Sequence, residues 1–135
     1  MNYKIKNAEK LRTVIAGVPS STVIEAGDLV SKGSNGLITK ATNASVALAY
    51  AITGSPSGSE VIEITVGNDF TLYGTADANF AISNRGTNAD LVDNTNQLID
   101  LGTHSTNVLK VSISTDAGTV GSTSDVEVRI DKPIF

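Results

Sequence analysis

Residues 60–67, EVIEITVG, decide how the rest of the chain is read. In an extended chain Ile62, Ile64 and Val66 fall on one side and Val61, Glu63 and Thr65 on the other, because successive side chains of a strand point to opposite faces. A helix would repeat its apolar residues at three- and four-residue intervals, so period two predicts a half-buried strand. The alternation recurs in VLKVSIST (108–115), where Leu109, Val111 and Ile113 alternate with Lys110, Ser112 and Ser114. It recurs again in DVEVRID (125–131), with Val126, Val128 and Ile130 against Glu127, Arg129 and Asp131. Shorter apolar runs at 12–17, 29–30, 37–40, 46–52, 70–73 and 98–101 are expected strands as well.

Turn chemistry separates these runs. Asn35-Gly36 suits a tight hairpin, since both residues tolerate positive φ, and GSPSGSE (54–60) sets Pro56 and Gly58 in a polar connection. Only DANFAISNRG (77–86) and LVDNTNQLID (91–100) hold out a turn or two of helix, and Asn, Ser, Thr and Gly weaken both. Short strands eight to twelve residues apart predict an all-β fold, a small antiparallel β-barrel or sandwich. The 135 residues suffice for one domain. The expected division is an extended basic N-terminal arm over residues 1–12 and a single β-rich domain over 13–135.

Charge supports that division. Residues 1–12 hold Lys4, Lys6, Lys10 and Arg12 against Glu9, whereas the rest of the chain holds six basic and thirteen acidic residues within a net charge of -4. Such an arm is either a solvated terminus or a segment docked on the body or on a partner. An acidic body excludes a chain built mainly to grip phosphate backbones, so no nucleic-acid partner is expected. With no cysteine, disulfides, zinc-thiolate sites and thiol catalysis are excluded. The N-terminal residues lack the apolar core of a signal peptide and no window is apolar enough to span a membrane, so synthesis in the cytoplasm and no membrane partner are expected. The sequon Asn43-Ala44-Ser45 then has no route to glycosylation.

Candidate chemistry is sparse. His104 is the only histidine; it sits in the polar run LGTHSTN, with no second histidine to share a metal and no Gly-x-Ser-x-Gly nucleophile turn. Asp90, Asp93 and Asp100, with Asn94 and Asn96, loosely resemble a calcium loop but lack the glycine and closing glutamate at the required offsets, so turn formation explains them better. A glycosidase pair would need two carboxylates from distant strands, yet the aromatic platforms of sugar sites are missing: there is no Trp, and only Tyr3, Tyr50 and Tyr73. No phosphate-cradling glycine motif occurs. The reading is a binding or assembly protein without enzymatic activity, metal or cofactor.

One resemblance gives the partner. The segments Ala26-Gly27-Asp28-Leu29-Val30, 36–40, the Ala-rich 46–52 and 58–67, followed by VLKVSISTDAGT and VEVRID, resemble the head decoration, or capsid cement, proteins of tailed bacteriophages. The likeness covers most of the chain after residue 22; the segment 73–86 and the polar run 87–107 depart from it. It implies a small β-rich virion protein that binds the outer capsid surface, bridges neighbouring major capsid protein subunits and often forms trimers at three-fold positions. Many moderate contacts across neighbouring capsomers would resist separation together. Within that role the arm supplies the capsid-contact candidates Tyr3, Lys4, Ile5, Lys6, Lys10, Leu11 and Arg12, which would add a strand to a sheet edge of the shell; residues 1–12 should then be needed for binding but not for folding. Pro133 ends the last strand, and Ile134 and Phe135 are oligomer-contact candidates within a trimer, the other reading being that they close their own barrel. A tail or baseplate component and a carbohydrate-binding β-sandwich are the competing readings, with a small hydrolase disfavoured by the lack of a nucleophile and base.

Overall fold

The computed structural model describes residues 2–58 and 60–135, and its regular structure is strand apart from a single 3-10 turn at Ile82–Asn84. The strands are β1 (Lys4–Asn7), β2 (Arg12–Gly17), β3 (Leu29–Lys32), β4 (Ile38–Lys40), β5 (Ala49–Tyr50), β6 (Val61–Val66), β7 (Thr71–Gly74), β8 (Asn88–Val92), β9 (Leu98–Asp100), β10 (Leu109–Val111) and β11 (Val126–Ile130). Six of them form one antiparallel sheet in the order β1-β7-β11-β10-β8-β9. Opposite lie the sheet β4-β3-β5 and the ribbon β2-β6, joined by the antiparallel bridge Ala51↔Ile64 and by the Ile52 N–H donating to the Glu63 carbonyl at 2.8 Å. The chain is thus an antiparallel all-β sandwich.

Two apolar cores follow from the alternation of side chains. Leu29 of β3 and Tyr50 of β5 face the larger core, with Tyr3, Phe70, Leu72, Leu109, Val111, Val126, Val128 and Ile130. Their neighbours Val30 and Ala49 face the smaller core, with Ile24, Ile38, Ile62 and Ile64. β3 and β5 therefore lie between the two cores, which is why both run apolar on consecutive residues instead of alternating with polar ones. At the seam Gln97 is buried at positive φ. Its side chain accepts the Leu29 N–H at 2.9 Å and donates to the carbonyls of Leu29 at 2.8 Å and Ala41 at 2.9 Å, tying the turn before β9 to the opposite sheet.

Four expectations change. The arm docks on its own body: β1 pairs with β7, the Tyr3 ring is buried, and a Cβ on Gly74 would stand 2.5 Å from that ring. Asn2 seals the end, accepting the Thr75 N–H and donating to the Thr75 and Gln97 carbonyls. Residues from Asn2 onward are therefore packed into the fold, where the arm was expected to be needed for binding but not for folding. Residues 91–100 hold no helix but the hairpin of β8 and β9, because the Asp93 carboxylate takes the Thr95 and Asn96 N–H groups and closes the turn. The strand from 108 stops at Val111: the Ser112 hydroxyl accepts the Ser114 N–H and the Ser114 hydroxyl the Asp116 N–H, so Ile113 swings out and is 82% exposed. Only Ala49–Tyr50 of the run 46–52 is strand, and Val46 is exposed. Met1 of the expected arm and Ser59 of the 54–60 turn lie outside the described residues.

Candidate binding surface

The outward face of the six-stranded sheet gathers cations from distant parts of the sequence. Directly opposed residues of an antiparallel pair share a face, so the registers Lys4↔Tyr73, Tyr73↔Glu127, Lys110↔Arg129 and Lys110↔Asn88 place these side chains outward. Lys6 forms an ion pair with the nearly buried Glu127 and stands 5.2 Å from the centroid of the Tyr73 ring. The hydrogen bond it donates to Glu127 holds the Lys6 ammonium above the ordinary lysine range, against the desolvation that works the other way.

Lys110 and Arg129 differ from Lys6. They stand directly across from each other on β10 and β11, a like-charge arrangement that costs stability. Among the described residues neither forms an ion pair with a carboxylate. Between them opens a concavity of about 320 Å³, with the hydroxyl residues Thr71 and Ser112 and the exposed Ile113 at its wall. A second hollow of about 260 Å³ shares Thr71 and Arg129 and extends to Asn7, Lys10 and Asp69. Together they form a trough whose floor is sheet; its Lys110 end carries only cations, while Glu9 and Asp69 stand beside Lys10 at the other end. A roomier hollow, about 490 Å³, lies elsewhere, between residues 42–47 and Ile134, and is lined by the single charged residue Lys32.

Carboxylates at the β8-β9 end are occupied by the fold. Asp90 is nearly buried and accepts N–H groups from Ser105 at 2.8 Å, Thr106 at 3.1 Å and Asn107 at 2.8 Å. Burial opposes its ionisation, but those donors outweigh it and hold the carboxyl below the usual aspartate range. Asp93 closes the hairpin turn, and the Asn96 side chain and N–H lower its carboxyl too. Asp100 accepts the N–H groups of Gly102 and Thr103. Among the described residues no three His, Asp or Glu side chains are grouped to hold a metal ion. His104 lies exposed in the loop that caps Asp90.

The residues singled out from sequence divide sharply. Lys4, Lys10 and Arg12 are exposed, and Lys6 is partly exposed. Tyr3 is core, and Ile5 and Leu11 pack against it. Ile134 packs on the smaller core and donates its N–H to the Leu48 carbonyl, whereas the Phe135 ring is 52% exposed. Sequence reading missed Lys110 and Arg129. Their alternation with apolar neighbours marked both as outward, but only the register of β10 on β11 brings them together.

No described helix is long and apolar enough to cross a membrane. The chain matches no protein-family model, no curated protein and no solved structure.

Proposed function

We propose that this chain is a structural virion protein that binds the outer surface of a tailed-phage capsid and stabilises the shell by bridging neighbouring major capsid protein subunits. The resemblance of residues 26–67 and of the strands beginning at 108 and 126 to capsid cement proteins names the partner. The observation that carries the reading is the trough: Lys110 and Arg129 are kept unpaired, at a cost to the fold, where an external carboxylate surface would pair them. Lys4, Lys10 and Arg12 extend the same charge toward the N-terminal edge, and the acidic remainder of the chain keeps free copies from aggregating. The exposed Phe135 is the contact for assembly into a trimer on the shell.

Co-sedimentation with expanded, undecorated phage heads tests this, with unexpanded proheads and an unrelated particle as controls. Saturable binding to expanded heads alone supports a cement; no binding to heads, with rings or tubes on electron-microscope grids, replaces it with the tail or baseplate reading.

A further inference from the structure

Among the described residues the sheets end on four strands, and three are covered or guarded; the outer side of β9 is met at Ile99 by the Thr75 carbonyl and the Asp77 N–H. β1 carries Lys4 and Lys6; β9 and β4 are three residues each, the first ending on Asp100 and the second on Lys40. Short length and charge are the usual protections of a sheet edge. β2 has neither: it runs six residues, RTVIAG, with a charge only at its first position.

The hydrogen bonding of β2 fixes which of its groups are free. The Val18 N–H donates to the Glu60 carbonyl at 2.9 Å, so Val18 and Glu60 form a hydrogen-bonded pair. Bonding alternates along an antiparallel ladder, and the β2-β6 register therefore turns Arg12, Val14 and Ala16 toward β6. Thr13, Ile15 and Gly17 point their N–H and C=O groups away from it, and among the described residues no backbone partner meets them. Ile15 is 66% exposed, and Val61, across from Gly17, is 67% exposed on the same face. Leu37 reaches this face over Gly17, whose missing side chain makes room for it.

We infer that the free edge of β2 is a self-association site and that its occupant is β2 of a second copy of this chain, antiparallel about a two-fold axis through Ile15. The pattern is self-complementary. The axis sets Ile15 against Ile15 and Thr13 against Gly17, so the three residues with free groups meet the same three in the second copy. Each pair can then exchange both of its N–H to C=O bonds. The two Ile15 side chains become direct cross-strand neighbours, each with Glu63 beside it on β6 and Val61 on the diagonal, and no like charges stand opposite each other across the new pair, because Arg12 falls across from Val18. This association is independent of the capsid reading and of any trimer contact through Phe135.

Sedimentation velocity over a range of concentrations, together with single-cysteine crosslinking, tests it in a chain that has no cysteine of its own. Ile15→Cys should form disulfide-linked dimers at least tenfold faster than Val120→Cys, which replaces a comparably exposed valine away from the edge. Ile15→Lys and Ile15→Glu should each lower the mean mass at a given concentration while keeping the melting temperature, and mixing the two should restore it. Equal crosslinking rates at the two cysteines, or a mass unchanged by Ile15→Lys, overturns the inference.

Discussion

The edge and the centre of the six-stranded sheet treat charge in opposite ways. Around β8 and β9 the carboxylates of Asp90, Asp93 and Asp100 are spent on backbone N–H groups within a few residues of a turn. Around β10 and β11 Lys110 and Arg129 face each other with no carboxylate partner among the described residues. Charge that the fold consumes holds loops in place, whereas charge that the fold leaves free, against its own stability, is available to something outside. The same split runs through residues 2–12, where Tyr3 is core and Lys4, Lys10 and Arg12 are exposed.

That contrast can be broken by mutation, starting inside. Tyr3→Ala removes a buried ring packed on Gly74 and should cost about 3–5 kcal/mol in denaturant unfolding. Lys4→Ala, one residue on, should stay within about 0.5 kcal/mol of the parent. A small loss for Tyr3→Ala would return the segment to the status of a free arm. Gln97→Leu leaves the Leu29 N–H and the Ala41 carbonyl without their partner, the Leu29 carbonyl keeping the Ala41 N–H, and should cost about 2–3 kcal/mol.

On the acidic side Asp90 holds the 104–107 loop through its carboxylate. Its carboxyl ionises more readily in the folded chain than in the unfolded one, so its contribution is fully present above the unfolded value of about 3.9 and is lost as pH falls through the lower folded value. Asp90→Asn should therefore lower the melting temperature at neutral pH, with a loss of about 1–2 kcal/mol. The gap to the parent should close in acid. A gap independent of pH would mean that shape, and not charge, holds the 104–107 loop. On the basic side, Lys110→Ala or Arg129→Ala should change stability by no more than about 0.5 kcal/mol, and in the favourable direction, since each relieves a like-charge pair.

Much of this organisation was legible in the sequence. Period-two alternation located β6 and β11, and turn residues divided the chain into short antiparallel strands. Where side chains competed with the backbone the reading failed: Ser112 and Ser114 ended β10 early, and Asp93 made a hairpin where a helical turn was expected. β1 was hidden because Lys4 and Lys6 alternate with only one apolar residue, Ile5, and its pairing with β7 is a long-range event that local composition does not encode. The binding surface was half visible. The basic residues near the N-terminus stood out as a run, but Lys110 and Arg129 join them only through strand pairing across a sheet.

In the proposed function the unpaired Lys110 and Arg129 dock the protein on a phage shell. The most direct test is co-sedimentation of the parent and a Lys110→Glu/Arg129→Glu variant with expanded heads at low and moderate salt. The parent should bind saturably and more weakly as salt rises, and the variant should lose binding while keeping its melting temperature. Parent protein that binds no head, or a charge-reversed variant that binds as well as the parent, would contradict it.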